Sequence, residues 1–322
     1  MIGFGMVIPV LPVLFNDPQS ASYMLHGWPE RSQLLMSGFV LSLFGIVQFI
    51  ASPILGELSD VYGRKRVLLI GVVVLALSQL LFGLAITITS LVVLMVARAV
   101  GGVAGANFSV VQAIIADVTK PEERAKSFGI IGAAFGIGFI TGPLIGGWVT
   151  HAVGTPAAPF IFAGVLGLLN SLGVSFALPE THKSTRAAHK RFTFLKGVHN
   201  VQAALKDVQA RPLFIANFFI QLGFSGFTTF IGVLLLNRFG YTEPQIGTFF
   251  AVVGMWIVIT QAGVLPRAMK WWTEKKIIPI ALLILAGSLL THVLTLPVYA
   301  LYIAIPFTAI GIGLANACIL SL

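Results

Sequence analysis

Ten apolar runs alternate with short polar breaks along the chain. They cover roughly residues 1–15, 33–57, 67–87, 90–115, 126–150, 157–179, 212–238, 245–267, 277–297 and 299–321. A helix needs about 20 mostly apolar residues to cross the hydrocarbon of a bilayer, and most of the runs reach or approach that length. They are too long and too continuously apolar for the strands of a membrane barrel. The pattern predicts an all-α, polytopic membrane protein.

Composition supports the same class. Of the 322 residues, 57% are hydrophobic and only 10% are charged, and the mean hydropathy is +0.95. A soluble domain carries about 25% charged residues. A soluble globule with a polar surface is therefore excluded.

The positions of the bases explain the net charge of +9. The breaks after the second, fourth, sixth and eighth runs hold 17 of the 20 Lys and Arg residues. The alternate breaks hold only Arg31 and Arg238, and Arg98 lies inside the fourth run. Because basic loops stay in the cytoplasm, the even breaks are predicted to be cytoplasmic loops of a multi-pass plasma-membrane protein. The charge then reflects topology and does not indicate nucleic-acid binding.

The runs form two groups. Residues 1–179 are predicted to form a six-helix bundle and residues 212–322 a bundle with four helices, joined by a basic cytoplasmic linker at 180–211. The basic breaks after the second and eighth runs occupy the same place in the two groups, an internal repeat typical of secondary transporters. On this plan the first helix lacks its beginning, and the second bundle lacks two helices.

The break GELSDVYGRKR, residues 56–66, concentrates charge in an otherwise apolar chain. Asp60 and Arg64 are four residues apart, so they share a face if the helix continues through them. Gly56 and Gly63 permit close approach and a sharp reversal. The stretch is either a loop that only sets topology or a charge latch that holds neighbouring helices in one conformation.

The fourth run, within ARAVGGVAGANFSVVQAIIAD, carries a base in its apolar part. Arg98 is costly at that depth unless it is paired, hydrated or snorkels to the outer surface, and it is otherwise a functional candidate. Gly101 and Gly105 form a GxxxG pair that allows tight helix contact. Asn107, on the same run, is a candidate for helix packing or for solute contact.

The fifth run, GAAFGIGFITGPLIGG, has one face that is nearly free of side chains. Another helix can pack and slide against such a face, and proline removes a backbone donor and tends to kink a helix. The residues of this helix-packing motif are Gly138, Gly142, Pro143, Gly146 and Gly147.

These stretches resemble the motifs of the major facilitator superfamily, and within it those of drug:proton antiporters of the tetracycline-resistance and multidrug type. GELSDVYGRKR looks like the family's loop 2–3 motif, ARAVGGVAGA its fourth-helix motif and GIGFITGPLIGG its fifth-helix antiporter motif. GFGMVIPVLP resembles the first-helix signature, and NRFGYTEPQIG resembles the connection between helices seven and eight. The resemblance covers the whole chain as helices 1 to 10 of 12.

The resemblance implies a transporter that works by alternating access and couples efflux of a drug-like or metabolite solute to protons. Asp60 and Arg64 would form the latch with Asp117 as third member, and Arg98 would take part in proton coupling. The corresponding break in the second group has no aspartate, and the apolar spans have no carboxylate to carry a proton. His292 is a weak substitute, expected at the outer interface.

Amides inside the spans are candidates for binding the solute: Gln48, Asn107, Asn217 and Gln221. Two alternatives to proton-coupled efflux stay open. One is a gradient-independent facilitator or importer of a small metabolite, and the other is a non-transporting product of a truncated gene.

The sequence predicts no enzyme, no cofactor and no metal site. It contains no GxxxxGK[ST] phosphate loop, its histidines lack HExxH spacing, and Cys318 is its only cysteine. The expected partners are a small-molecule substrate, protons and the lipid bilayer, and the protein is expected to act as a monomer.

Overall fold

The computed structural model describes residues 2–16, 20, 22–120, 124–181, 202–203, 205–208, 211–294 and 297–321. The helices are α1 (Ile2–Asn16), α2 (Glu30–Tyr62), α3 (Arg64–Thr87), α4 (Leu91–Gly105), α5 (Asn107–Val118), α6 (Arg124–Val153), α7 (Ala158–Ala177), α8 (Arg211–Phe239), α9 (Glu243–Ile259), α10 (Leu265–Trp271), α11 (Glu274–Val293) and α12 (Val298–Ser321). A π-helical segment, Thr260–Val264, joins α9 to α10.

The described residues of each predicted apolar run are largely helical. Eight helical segments in the described part of the chain are long and apolar enough to cross a membrane. Helix α1, with 15 residues, and helix α6, with 30, are not among these eight. Backbone amides and carbonyls have no water to bond within a bilayer, and a helix pairs them inside the segment. The predicted all-α, polytopic membrane fold is confirmed.

The predicted boundaries need three corrections. Helix α2 runs on to Tyr62, beyond the end of the second predicted run, so Asp60 is helical. The fourth run is broken at Ala106, between α4 and α5. The eighth run contains the π-helical segment, which hydropathy does not distinguish from an α-helix.

Residues 13–130 and 152–202 form one compact unit. In it, α3 packs against α4 and α7, and α2 packs against α4. The α3–α7 contact has small residues at its centre: a Cβ at Gly167 would lie 2.8 Å from the Cβ of Ala76. Towards one end, the rings of Phe82 and Phe160 are 4.3 Å apart. Here the helix backbones approach closely because the interface positions carry little side chain.

Residues 1–12, 131–151 and 203–322 form a second compact unit. Helices α11 and α12 form an antiparallel pair, and α12 also packs against α9. Buried aromatic residues of this unit include Phe249 and Phe250 of α9, which pack with Leu235 of α8 and Ile305 of α12. The predicted bundle boundaries at residues 179 and 211 stay a prediction, and most of the 180–211 linker lies outside the described residues.

We expect Gly167→Leu to destabilise the first of these units. Its side chain would enter the α3–α7 contact, where overpacking costs about 1–3 kcal/mol. Gly173→Leu on the same helix is the control, because a Cβ there meets no atom within 4 Å. Thermal unfolding in detergent should show a lower midpoint for Gly167→Leu than for Gly173→Leu. Equal midpoints would contradict the tight contact.

Candidate functional site

An ion cluster centred on arginine lies where α2 ends and α3 begins. The Nη1 atom of Arg64 is 2.6 Å from Oδ1 of Asp60, and its Nε donates to Oδ2 of Asp117 at 3.0 Å. Nη1 also donates to the hydroxyl of Ser59 at 2.5 Å. The Arg64 side chain is 9% exposed, but that of Asp60 is 55% exposed. One nearly buried cation therefore joins α2, α3 and α5, while its acidic partners remain accessible to water.

The turn beside this cluster depends on Gly63. Its φ is +95°, a conformation that favours glycine, and a Cβ there would lie 2.5 Å from Oε2 of Glu180. The predicted reversal is present at this residue. Asp60 and Arg64, however, pair across the end of α2 instead of along a continuous helix. A Cβ at Gly56 would meet no atom within 4 Å, so no other part of the described structure closely approaches the backbone at this glycine.

Glu180, which follows α7, binds the first turn of α3. Its Oε1 accepts a hydrogen bond from the backbone N–H of Arg64 at 2.8 Å, and its Oε2 accepts one from that of Lys65 at 3.2 Å. In return, Nζ of Lys65 donates to the carbonyl oxygen of Ser175, in the last turn of α7, at 2.7 Å. An anion thus lies at the positive end of α3 and a cation at the negative end of α7, and both arrangements are favourable.

Arg98 is buried inside the first of the two units. It is 4% exposed, its Nε donates to the carbonyl oxygen of Val40 at 3.2 Å, and its guanidinium carbon lies 4.7 Å from the ring centroid of Phe44. Its Nη2 is buried with no hydrogen-bond partner in the described part of the chain. The side chain is directed at α2, so the snorkelling alternative is excluded.

Two of the four candidate solute-binding amides bridge helices. Gln48 donates through Nε2 to the carbonyl oxygen of Gly105 at 3.0 Å, next to the break between α4 and α5. That bond satisfies a carbonyl at a helix end. Asn107 donates through Nδ2 to the carbonyl oxygen of Leu68 at 3.3 Å, while its buried Oδ1 has no partner among the described residues. The contact of Gln48 favours packing over solute binding.

The other two candidates lie one turn apart on α8. Asn217 is half-buried, and Gln221 is exposed. A contact of either residue with a solute stays a prediction.

The glycine motif of α6 is buried and meets α1. Gly138, Gly142, Pro143, Gly146 and Gly147 are all buried, and the helix continues through the proline. On α1, a Cβ at Gly5 would lie 2.8 Å from Cδ of Pro143 and 3.1 Å from Cα of Gly142. A Cβ at Gly146 would in turn lie 3.1 Å from Cα of Met6. Glycines thus bring the two backbones together.

Helix α9 approaches α6 in the same way. A Cβ at Gly254 would lie 2.9 Å from the backbone nitrogen of Ile140, and one at Gly247 would overlap the carbonyl oxygen of Pro143. The sequence predicted a smooth face on α6, but it did not identify α1 and α9 as the helices that use it.

His292 lies in the last turn of α11, near the end of its span as predicted, and it is only 7% exposed. Its Nδ1 is 2.7 Å from the carbonyl oxygen of Ser288, and its ring packs edge-on against Phe227 with centroids 5.0 Å apart. Its Nε2 is buried without a partner in the part the structure describes. The hydroxyl of Thr308 donates to that of Ser288 at 3.1 Å, which extends the polar cluster to α12.

Sequence reasoning missed Glu180 as the residue that caps the start of α3 and assigned it to the linker. A signal was present, since an acid directly after one span can reach the start of another span that begins on the same side. No group of three or more His, Cys, Asp or Glu residues able to hold a metal ion occurs among the described residues.

Comparisons with known proteins agree with the motifs. The sequence profile of the Major Facilitator Superfamily matches residues 1–322. Tetracycline resistance protein, class H, of Pasteurella multocida is 32% identical over 292 residues, which are 90% of this chain and 69% of that protein. Tetracycline resistance protein, class C, of Escherichia coli is 33% identical over 86% of this chain and 66% of its own length. Multidrug resistance protein 1 of Bacillus subtilis is 29% identical over 95% and 73%, respectively.

The chain therefore spans about two thirds of the length of these tetracycline-resistance relatives. Among solved structures, the human organic anion transporter MFSD10 (TETRAN) superposes with a TM-score of 0.74 at 23% identity. The superposition covers 99% of this chain and 81% of that one. At that identity, the likeness supports the fold.

We expect Glu180→Gln to loosen the start of α3. An uncharged amide is a weaker acceptor at a helix N-terminus, where a lost cap costs about 1 kcal/mol. Backbone amides of Arg64 and Lys65 should exchange hydrogen about fivefold faster. Glu30→Gln, at the exposed start of α2, is the matched control and should leave them unchanged. Unaltered exchange in Glu180→Gln would contradict the capping role.

Proposed function

The chain belongs to the major facilitator superfamily, and from that membership we propose that it exports a small drug-like or metabolite solute in exchange for protons. The observation that carries the proposal is the alignment of most of the chain with relatives named for tetracycline and multidrug resistance. The superfamily is one of transporters and is not a class of enzymes. An amphipathic solute of the tetracycline type is the first candidate substrate.

The ion cluster at Arg64 is proposed as a conformational latch. Three helices converge on this cation, and two of its contacts are charged pairs shorter than 3.1 Å. Because Asp60 is more than half exposed, separating it from Arg64 exchanges an ion pair for hydration at modest cost. Such a contact can stabilise one conformation and still release during each cycle.

Arg98 is proposed to take part in proton coupling. A cation buried within a span is expensive, and such residues generally mark ion or substrate pathways. Its Nη2 atom, which is buried without a hydrogen-bond partner among the described residues, supports this role. A nearby group that takes up or loses a proton could accept a hydrogen bond from it. Among the described residues, His292 also has a buried nitrogen, Nε2, without a hydrogen-bond partner, and we propose it as an accessory site.

We also propose that the basic breaks are cytoplasmic and that a single chain performs transport. The distribution of 17 of the 20 bases supports this orientation.

In everted vesicles, a membrane-impermeant thiol reagent should label a cysteine that replaces Arg66 but not one that replaces Arg238. Both variants would be made without Cys318, the only native cysteine. The reverse labelling pattern would overturn the orientation.

Everted vesicles that contain the protein and are acidified inside should accumulate tetracycline. The Arg98→Ala variant should insert into the membrane normally but lower this accumulation about tenfold or more. A tenfold decrease corresponds to a rise of about 1.4 kcal/mol in the barrier of the limiting step. Arg238→Ala, at the exposed end of α8, is the matched control and should transport like the wild type.

Two results would contradict these assignments. Accumulation or exchange that persists after the proton gradient is collapsed would support a facilitator. Wild-type accumulation by Arg98→Ala would remove that residue from coupling.

For the latch, Asp60→Asn should slow the transport cycle more than it weakens substrate binding. The substitution removes a 2.6 Å ion pair that stabilises one end state but touches no proposed substrate ligand. Turnover in proteoliposomes and equilibrium binding of the same solute measure the two effects separately. Glu30→Gln changes an acid at the other end of α2 and serves as control. Unchanged turnover would leave the cluster with a topological role only.

A further inference from the structure

The π-helical segment between α9 and α10 changes which residues share a face. In a regular α-helix each residue turns by about 100°, so Ile259 and Trp271 would differ by about 120° after twelve residues. A π-turn takes up about one extra residue, which reduces that difference to about 20°. Ile259, Gly263, Arg267 and Trp271 therefore follow one another along a single face.

That face forms an open groove of about 460 Å³. Its lining is apolar except for Arg267, and its far end is formed by Trp271 and Trp272. These tryptophans are 78% and 53% exposed. A volume of this size is typical of sites for small molecules or for part of a lipid chain.

Within the groove, Arg267 is held in place from one side. Its Nη1 donates to the carbonyl oxygen of Gly263, one turn back, at 2.8 Å. A Cβ at Gly263 would lie 3.5 Å from that same Nη1, so the glycine leaves room for the guanidinium to lie along the helix. The arginine is exposed, and its remaining N–H groups suit the planar, multidentate recognition of a phosphate.

The surroundings of the groove are strongly basic. Arg267, Lys270, Lys275 and Lys276 lie within ten residues, against Glu274 as the one acid of that stretch. The candidate span Pro244–Trp271 ends at the tryptophan pair. Tryptophan is enriched at the boundary between hydrocarbon and water, and clusters of four or more bases at that boundary attract anionic lipids.

We propose that this groove binds an anionic phospholipid. The phosphate would bind Arg267 and Lys270, and the first part of an acyl chain would lie against Ile259 and the face of Trp271. A neutral lipid would leave the bases without counter-charge. A second copy of this chain is disfavoured as the occupant, because each copy carries a net charge of +9.

The test uses the protein in phosphatidylcholine nanodiscs that contain a minor fraction of phosphatidylglycerol. Bromine atoms on the acyl chains of either lipid quench nearby tryptophan fluorescence. Brominated phosphatidylglycerol should quench more than an equal amount of brominated phosphatidylcholine. Arg267→Gln should weaken the apparent affinity for phosphatidylglycerol about fivefold, because each base near the membrane surface contributes about that factor.

Two controls assign the effect to the groove. Arg238→Gln removes an exposed arginine at the end of α8 and should leave the preference intact. Trp271→Phe with Trp272→Phe should abolish the preferential quenching, although Trp28, Trp148 and Trp256 remain.

Several outcomes would overturn the proposal. Equal quenching by the two brominated lipids would show no selectivity, and a wild-type response of Arg267→Gln would remove the arginine from the site. Loss of the preference on adding inorganic phosphate at constant ionic strength would identify a free anion as the ligand. Loss of quenching by both lipids at high protein density would identify a second copy of the chain.

Discussion

Close contact between helix backbones is the interaction on which this fold depends. Lipid tails are as apolar as leucine, so helices in a bilayer gain little from burying side chains and associate through close packing instead. Glycine lies at close contacts within both compact units, at Gly102 between α2 and α4, Gly167 between α3 and α7, Gly5 between α1 and α6, and Gly254 between α6 and α9. Other described glycines are not at interfaces: a Cβ at Gly45, Gly173 or Gly287 would meet no atom within 4 Å.

Charge is arranged around that packing, mainly at helix ends. At the α2–α3 turn, Arg64 pairs with two acids. Glu180 accepts hydrogen bonds from the first backbone N–H groups of α3, and Nζ of Lys65 donates to the carbonyl oxygen of Ser175 near the end of α7. The carboxylate of Glu180 lies where a side chain at position 63 would be, so glycine is required there for Glu180 to reach the backbone of α3. Packing and electrostatics are coupled here, because the carboxylate can reach the helix end only where no side chain intervenes.

Departures from regular helix geometry adjust side chains elsewhere. The break at Ala106 gives Gln48 a carbonyl to bind, and the π-turn before Leu265 aligns Arg267 with the apolar groove. Neither irregularity follows from hydropathy, since both lie inside apolar runs. Each one redirects a polar group without interrupting the membrane span, which links local backbone geometry to the sites proposed for packing and lipid binding.

Hydropathy and the spacing of charges determined the helical class and the ten apolar runs, because membrane solvation acts on each segment separately, and the resemblance of several motifs indicated the family. The sequence also indicated that Asp60 and Arg64 are close, although the pair forms across the turn at Gly63 and not along a continuous helix. Tertiary structure alone decided that Glu180 caps α3, that Arg98 points at α2, that His292 is buried, and that α1 and α9 use the glycines of α6. Those contacts join residues distant in sequence, and their geometry depends on how whole helices pack.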